Sequence, residues 1–408
     1  MRIAGSSLLL AVVLTSFTWS AFGAGPKAYV GNFKDNSVSV IDTGSGSVVA
    51  TVAVAAGPHG MAATPDGRIV YVSGDGSSDV TIIDATTDRV AGKIDVGKTP
   101  HGLAMTSDGK LLLVGVYGDD RVAFVDTATQ KVVATVPVPK PHTIAVRGDG
   151  KVAYVASQEP SKFALVVVDI AGRSVARTLP LEKTPRDLEF GHDGRALYFT
   201  MAGVNAIAVL DPTSDKIVAQ IPTGASPHLA NHFKGASMGA AVVQGPGELQ
   251  LFDPASNAPV KAIAVGKQPH WMSATADGAQ IYVTNEGSND VTVVDLASGK
   301  TSTIAVGNAP RKIVVVAAAM QKSSATTVSI ANFAFAPAEI TVAPGATVTW
   351  KNDDGAPHGI AYKDDAAGTG LLLPGASFTR TYDKTGTFDY VCAVHPYMTG
   401  KVVVRTAP

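Results

Sequence analysis

A dipeptide repeat places the strongest constraint on how this chain folds. Proline followed by histidine or arginine recurs seven times through the middle of the sequence, at intervals of 41 to 44 residues. The pairs are Pro58-His59, Pro100-His101, Pro141-His142, Pro185-Arg186, Pro227-His228, Pro269-His270 and Pro310-Arg311. This period is typical of a propeller blade made of four strands. Seven copies therefore predict seven blades.

The residues between these pairs predict short β-strands. After most pairs an apolar run leads to Asp-Gly, at 66–67, 108–109, 149–150, 193–194 and 277–278. Asp-Gly between apolar runs is a strong hairpin signal, and in the two-residue turn that it favours both residues have positive φ. β-branched runs such as 79–84 and 131–136 follow. A helical-repeat solenoid of similar period is the rival fold, and these runs and turns argue against it.

The two ends of the array complement each other. Residues 29–51 supply outer strands with no inner strand ahead of them, whereas 310–316 supply an inner strand without outer ones. Joining them completes the seventh blade and leaves no unpaired edge. We therefore predict an all-β chain in which residues 27–317 form a seven-bladed propeller. The Tyr-Val-Thr-Asn text at 282–285 resembles the YVTN family of propeller repeats.

One phase of the repeat is rich in histidine. The second residue of each pair occupies the same place in its blade, so symmetry predicts that these side chains lie at one height in the central channel. They are His59, His101, His142, His228 and His270, with Arg186 and Arg311 in the other two blades. Imidazoles could bind copper or another metal, and the arginines an anion. The alternative is that these pairs are a common feature of such repeats, with solvated side chains and no role in binding.

A second candidate site lies near the end of the chain. The single cysteine, Cys392, is followed at three-residue steps by His395 and Met398, and His358 lies upstream. Two imidazoles and a thiolate with a weak thioether ligand form the blue-copper electron-transfer site. Zinc fits less well, because its structural sites do not use methionine. The alternative is a buried cysteine that acts as a small apolar residue.

The flanking residues resemble a cupredoxin throughout 327–408. The matching segments are Phe-Ala-Pro at 335–337, Ile-Thr-Val-Ala-Pro-Gly at 340–345, Val-Thr-Trp-Lys-Asn at 348–352, Gly-Ala-Ser-Phe at 375–378 and Gly-Thr-Phe-Asp-Tyr at 386–390. The Cys-x-x-His-x-x-Met loop is similar to that of amicyanin and its plastocyanin-type relatives. The resemblance implies a Greek-key β-sandwich that binds one type 1 copper through His358, Cys392, His395 and Met398. Many relatives have asparagine after the first ligand histidine, where this chain has Gly359.

The N-terminus predicts export. Arg2 is followed by an apolar run at 8–14 and small residues near 21–24, so residues 1–24 have the pattern of a secretory signal peptide. The run is too short for a membrane span, and no later stretch is apolar enough for one. The simplest destination is a bacterial periplasm. In an oxidising compartment a cysteine without a partner is either a liability or a metal ligand, which favours Cys392 as a ligand.

These observations support three functions. The favoured one is a periplasmic electron carrier whose propeller docks a redox partner protein, such as a dehydrogenase, a cytochrome or a reductase. The second is a copper-dependent oxidoreductase with a metal or anion in the channel, since the layout resembles nitrous oxide reductase. The third is a copper-binding or delivery module. A polar linker at 318–326 would join the two domains. The net charge of −1 gives no indication of a basic surface for nucleic acid.

Overall fold

The structure is a computed structural model that describes residues 26–317, 326–362 and 368–405. Within these ranges it contains 36 β-strands and a short 3-10 helix at Tyr117–Asp119. The strands form nine four-stranded sheets. None of the described residues belongs to a helix long and apolar enough to cross a membrane. The predicted signal peptide and residues 318–325 of the predicted linker lie outside the described residues.

Seven of the sheets are the blades of a propeller. The blade that joins the two ends of the array contains β1 (Lys27–Asn32), β2 (Ser37–Asp42) and β3 (Ser47–Ala53). The next three blades are β4 (Pro58–Ala63), β5 (Ile69–Gly74), β6 (Asp79–Asp84) and β7 (Arg89–Asp95); β8 (Pro100–Met105), β9 (Leu111–Val116), β10 (Arg121–Asp126) and β11 (Lys131–Pro137); and β12 (Pro141–Val146), β13 (Val152–Ser157), β14 (Ala164–Asp169) and β15 (Ser174–Pro180).

The remaining blades follow the same plan. They are β16 (Pro185–Phe190), β17 (Leu197–Met201), β18 (Ala206–Asp211) and β19 (Lys216–Pro222); β20 (Pro227–Asn231), β21 (Gly239–Val243), β22 (Glu248–Asp253) and β23 (Ala258–Ala264); and β24 (Pro269–Ala274), β25 (Gln280–Asn285), β26 (Asp290–Asp295) and β27 (Thr301–Ala305). The last strand of the propeller is β28 (Pro310–Val316). Each predicted pair therefore begins the inner strand of its blade.

The ring closes as the sequence predicts. Strand β28 is the inner strand of the sheet that continues with β1, β2 and β3. It pairs antiparallel with β1, and Lys27 lies opposite Val316 while Tyr29 lies opposite Val314. Hydrogen bonds between the first and last strands therefore complete the seventh blade, and the fold prediction is confirmed.

Burial explains why these residues form strands in this order. The second and third strands of a blade, such as β5 and β6, are buried almost throughout and are rich in valine and isoleucine. The outer strands, such as β7, are exposed at most positions. Apolar side chains of neighbouring blades therefore form the core between the sheets.

Some side chains link one blade to the next. The carboxylate of Asp88, in the turn before β7, accepts hydrogen bonds from Lys27 Nζ and Tyr29 Oη on β1, each at 2.6 Å. Asp215 likewise binds Tyr154 and Arg177 of the preceding blade. These contacts join the closing blade to the next blade, and the blade β12–β15 to the blade β16–β19, without a covalent bond.

The Asp-Gly turns differ from the prediction. Only the glycines have positive φ, about 70° in each turn, whereas the aspartates do not. In the turn at Asp66 the carboxylate accepts hydrogen bonds from the Thr64 hydroxyl and the Arg68 N–H, and Gly67 N–H donates to Thr64 O. The predicted turn with two positive φ values is therefore wrong, because the side chain of aspartate bonds to its own loop and leaves only glycine in the left-handed region.

The C-terminal region is a β-sandwich. Its strands are β29 (Thr326–Ala331), β30 (Ala334–Ala336), β31 (Glu339–Val342), β32 (Ala346–Asn352), β33 (Ile360–Tyr362), β34 (Ser377–Tyr382), β35 (Gly386–Cys392) and β36 (Thr399–Val404). One sheet has the order β30-β29-β32-β34 and the other β31-β36-β35-β33. Trp350 and Tyr390 lie at the centre of one apolar cluster, with ring centroids 5.3 Å apart, and Cys392 belongs to the same cluster. This arrangement confirms a cupredoxin fold.

Candidate metal centre

Two loops at one end of the sandwich carry the predicted copper ligands. The first begins where β32 ends, at Asn352, whose buried side chain donates to Ala356 O and Leu372 O at 2.9 Å. His358 follows, and its backbone exchanges two hydrogen bonds with Leu372. The buried amide thus fixes the path of the loop, and His358 has no solvent-exposed surface.

The second loop joins β35 to β36. Cys392 is the last residue of β35, and its N–H donates to Met398 O at 3.0 Å. Met398 N–H in turn donates to His395 O at 2.9 Å. These bonds fold residues 392–398 into a tight turn, so that the three-residue spacing brings His395 back over the cysteine.

The structure brings three predicted ligands together. Cys392 Sγ lies 3.5 Å from His358 Nδ1 and 3.7 Å from His395 Nδ1. The ligand atoms of this trio all lie within 4.8 Å of one another, and in the described ranges no other group of three or more His, Cys, Asp or Glu residues meets that condition. The cysteine is free and buried.

These distances fit a metal ion at the centre of the trio. With metal–sulfur and metal–nitrogen bonds of about 2.3 and 2.0 Å, as for zinc, ligands 120° apart would have sulfur and nitrogen about 3.7 Å from each other. The observed 3.5 and 3.7 Å agree with a trigonal arrangement of two imidazoles and one thiolate. The trio therefore fits a type 1 copper site.

Met398 is buried beside the trio. Its side chain is 3% exposed and belongs to the apolar cluster that contains Cys392. The hydrogen bonds of its backbone place it on the same turn as Cys392 and His395. Its role as the weak fourth ligand stays a prediction.

A carboxylate that the sequence prediction missed orients the first histidine. Asp354 Oδ2 lies 3.1 Å from His358 Nε2 and also accepts a hydrogen bond from Phe333 N–H at 2.8 Å. A carboxylate that accepts Nε2–H leaves Nδ1 with its lone pair, and Nδ1 is the atom that faces the cysteine. The signal in the sequence was an acidic residue four positions before the histidine in the same loop.

Gly359 takes part in the contact between the two loops. Its carbonyl accepts a hydrogen bond from Ala393 N–H at 3.2 Å. A Cβ atom at residue 359 would lie 2.8 Å from Gly370 O and 3.0 Å from Ala393 Cβ. The loops are therefore joined through backbone atoms in a space too small for the asparagine of many relatives.

The predicted histidine ring also forms. Consecutive ring centroids are 3.8 Å apart for His59 and His101, 4.1 Å for His101 and His142, and 4.0 Å for His228 and His270. His59 and His270 lie 5.8 Å apart. We call these five residues the histidine ring. Together with Arg186 and Asp187, four of them line a cavity of about 350 Å³ in the channel.

Backbone carbonyls orient two members of the ring. His101 Nδ1 donates to His142 O at 3.0 Å, and His142 Nδ1 donates to Arg186 O at 3.2 Å. Each histidine therefore bonds to the residue at the same phase of the next blade. Burial lowers the pKa of His59, His101, His142 and His270 below the ordinary value, so these imidazoles are neutral near pH 7.

The two arginines of this phase differ from each other. Arg311 donates to Glu286 Oε1 at 3.0 Å and lies over the ring of Phe33, at 3.6 Å from its centroid. Arg186 makes one side-chain hydrogen bond within the described residues, to Ser226 Oγ at 3.4 Å. The carboxylate of Glu286 thus neutralises Arg311, while Arg186 faces the cavity.

Asp187 is a second carboxylate that the sequence prediction missed. Its Oδ2 lies 2.6 Å from His228 Nδ1, and its side chain is 2% exposed. Burial acts to raise the pKa of Asp187, but the His228 ring outweighs it and holds the pKa below the ordinary value, so the carboxylate is ionised. The sequence did contain a signal for this carboxylate. Asp187 directly follows its Pro-Arg pair, at a position where other inner strands have uncharged residues such as Gly60, Gly102 or Thr143.

Comparison with known proteins divides the chain at the same boundary. Residues 29–316 match the family described as cytochrome D1 heme domain, and residues 322–405 match copper binding proteins of the plastocyanin/azurin family. The amicyanin of Paracoccus versutus is 34% identical over 95 residues, which cover 22% of this chain and 72% of the amicyanin. Amicyanin-alpha of Methylorubrum extorquens is 35% identical over 89 residues, which cover 20% of this chain and 74% of that protein.

A solved structure resembles the propeller. Hydrazine synthase of Kuenenia stuttgartiensis has a chain that superposes with a TM-score of 0.62 at 19% identity, over 70% of this chain and 99% of that one. The TM-score shows that the two chains share a fold. At 19% identity, the resemblance says nothing about the chemistry of this chain.

Proposed function

Because this chain belongs to the cytochrome D1 heme domain family over residues 29–316, and its C-terminal domain to the plastocyanin/azurin family of copper-binding proteins, we propose that it is a periplasmic carrier of single electrons. Copper bound at His358, Cys392 and His395 would supply the change between Cu(II) and Cu(I). The propeller would serve as a docking scaffold for a redox partner protein.

One observation supports the proposal above the others. A fully buried thiol lies 3.5 and 3.7 Å from the Nδ1 atoms of two histidines that belong to different loops. Thiolate and imidazole are the ligands of blue-copper sites, and the weak thioether ligand of such a site would come from Met398. A rigid site favours rapid electron transfer, because its ligands stay in place when the charge of the ion changes.

The residues of the channel do not fit the haem to which the family name refers. A haem needs a flat slot with one axial ligand that reaches the iron. In this chain the neighbouring imidazoles of the histidine ring are in contact, with centroids about 4 Å apart, and the adjoining cavity measures about 350 Å³. We therefore assign no haem chemistry to the propeller.

An apolar surface beside the copper ligands offers a place for the partner. Leu371 and Leu373 are 62% and 58% exposed and flank Leu372, which pairs with His358. Tyr397, 71% exposed, lies next to His395 with ring centroids 5.9 Å apart. Exposed apolar patches often mark protein interaction sites. The electron would leave through His395, the one ligand of the trio with solvent-exposed surface.

Burial of the ligands argues against copper delivery. A delivery protein passes its ion to an acceptor whose ligands replace its own. Cys392 and His358 are both fully buried, so an acceptor could approach the ion from the side of His395 alone. An electron can cross that histidine, whereas the ion itself cannot leave without opening the loops.

Optical and electrochemical measurements test the proposal. Copper-loaded protein should show an intense visible band from thiolate-to-copper charge transfer and a reversible one-electron wave. Cys392→Ala should lose both, whereas His192→Ala, which changes a histidine of the propeller, should keep both. A colourless wild-type protein that retains its copper would refute the electron-carrier function.

A further inference from the structure

A second cavity lies in the channel, further along the inner strands than the histidine ring. It measures about 270 Å³, and all seven inner strands contribute to its lining. Most of the residues that line it are apolar, such as Met61, Leu103, Ile144, Leu229 and Trp271. Pockets for drug-sized molecules measure about 300–1,000 Å³. The cavity therefore suits a smaller organic ligand.

Polar residues of this cavity interrupt the repeat. The fifth residue of the inner strand is alanine in three consecutive blades, at Ala62, Ala104 and Ala145. The next two blades have Glu189 and Asn231 at the same position, and all five residues line the cavity. Small side chains thus leave room on one side of the channel, and polar side chains line that room on the other side.

Glu189 and Lys312 line the same cavity without pairing. Among the described residues, neither side chain makes a hydrogen bond or a direct ion pair. The Lys312 ammonium lies over the ring of Trp271, at 2.9 Å from its centroid. Burial lowers the pKa of Lys312 to about 8, although Glu189 and Asp187 act to raise it, so the amine stays mostly protonated at pH 7.

Asn231 adds an acceptor to the side of Glu189. Its Oδ1 is buried and has no hydrogen-bond partner in the part of the chain that the structure describes. Buried polar atoms almost always have a partner, and an exception needs an explanation. Glu189 and Asn231 belong to β16 and β20, the inner strands of adjacent blades. An ammonium group has three donors and could serve both acceptors.

We propose that this cavity binds a small zwitterion, a molecule that carries an ammonium group and a carboxylate on one apolar skeleton. The ammonium would donate to Glu189 and to Asn231 Oδ1, and the carboxylate would accept from Lys312. The apolar lining would surround the skeleton. An amino acid with an apolar side chain has this chemistry.

The two protein charges favour a zwitterion over a ligand with a single charge. A simple amine would face the ammonium of Lys312, and a simple carboxylate would face Glu189. A like charge in a site of low polarity costs binding energy. Glu189, Asn231 and Lys312 are each only partly buried, so solvent reaches the polar groups of the cavity.

Isothermal titration calorimetry of the full chain tests this proposal without a substitution. L-leucine carries both charges on one carbon atom, whereas 5-aminopentanoate carries them at the two ends of its chain. 3-Methylbutylamine is leucine without the carboxylate, and 4-methylpentanoate is leucine without the ammonium. At least one zwitterion should bind, and each singly charged analogue should bind about 10–100-fold more weakly, because it loses hydrogen bonds between charged groups.

Substitutions locate the binding site. Glu189→Gln and Lys312→Met should each weaken binding of the zwitterion by about 10–100-fold for the same reason. Lys312→Met keeps an unbranched side chain beside Trp271. Glu182→Gln and Lys183→Met are the matched controls, because these residues carry the same charges on exposed positions of the preceding loop and should leave binding unchanged. The near-ultraviolet circular dichroism of every variant should match that of the wild type.

Three results would overturn the proposal. They are no binding of either zwitterion, binding of a singly charged analogue as tight as that of the zwitterion, and unchanged affinity after both Glu189→Gln and Lys312→Met. The visible band of copper-loaded protein does not depend on this cavity. Its presence or absence therefore decides the electron-carrier function separately.

Discussion

The hydrogen bond between Asp354 and His358 gives the sharpest prediction for copper binding. Asp354→Ala removes the carboxylate that lies 3.1 Å from His358 Nε2. The ring is then free to turn and to carry its proton on either nitrogen. Loss of such a partner typically costs 10–100-fold in metal affinity, which corresponds to about 1.4–2.7 kcal/mol of binding free energy.

The same oxygen of Asp354 has a second function that adds to the effect. It accepts the N–H of Phe333, whose ring lies 5.5 Å from that of His358 and 5.0 Å from that of His395. Asp354→Ala would thus loosen a side chain that packs on both ligands, so we expect a loss at the upper end of this range. Asp354→Asn keeps an acceptor but no charge, and neutral hydrogen bonds are worth roughly half as much as charged ones, so its loss should be smaller.

Competition with a copper chelator measures these affinities, with the visible band as the readout. Asp353→Ala is the matched control, because this neighbouring carboxylate binds Ser329 and Lys351 instead of a ligand. We expect affinity to decrease in the order wild type, Asp354→Asn, Asp354→Ala, with Asp353→Ala equal to wild type. Equal affinities and spectra for wild type and Asp354→Ala would refute the orienting role.

Three further predictions concern the closing blade, the loop contact and the apolar surface. Asp88→Ala leaves Lys27 Nζ and Tyr29 Oη with only their longer hydrogen bonds to Ala85 O, at 3.2 and 3.4 Å, and should lower the free energy of unfolding by about 1.5–3 kcal/mol in urea titrations, because hydrogen bonds to a charged group are lost. Glu159→Ala, which breaks an exposed ion pair, should change it by less than about 1 kcal/mol. Gly359→Asn should destabilise the copper domain by about 1–3 kcal/mol in thermal melts because its Cβ meets Gly370 O and Ala393; Gly370→Ala, whose Cβ meets nothing within 4 Å, should not, and equal melts would contradict the steric argument. Leu371→Glu should slow electron exchange with a cytochrome in stopped-flow experiments without altering the visible band, whereas Val218→Glu, a similarly exposed position on the propeller, should leave the rate unchanged.

The architecture could be predicted from sequence because it depends on periodic features. The Pro-His pairs fix the number of blades, and the unmatched strands at 29–51 and 310–316 fix how the ring closes. Two members of the copper trio, Cys392 and His395, could be predicted because together with Met398 they lie at three-residue steps within one short turn. The third, His358, was assigned through the resemblance to cupredoxins. In both cases the pattern is local or repeated, so few arrangements satisfy it.

The contacts of the carboxylates Asp354 and Asp187 with histidines could not be predicted from local spacing or from the repeat. Asp353 and Asp354 are adjacent and chemically identical, and only the turn anchored by the buried Asn352 decides which one reaches His358. Asp187 contacts His228 of the next blade, and the repeat pattern says nothing about a carboxylate that occurs at this position in one blade alone. The conformation of the Asp-Gly turns was missed for a related reason, since a hydrogen bond to Thr64 outweighs the preference of the dipeptide.

Pairing between the first and last strands of the propeller has a consequence for how the molecule is made. Lys27 meets its partner Val316 only after some 290 residues have emerged, which takes about 15–60 s at the usual rates of synthesis. Until then β1 is an open edge that could recruit a foreign strand. Lysine is a residue that natural proteins place on such edges to discourage aggregation. Lys27 would thus discourage aggregation of the incomplete chain before its side chain binds Asp88 and stabilises the closed propeller.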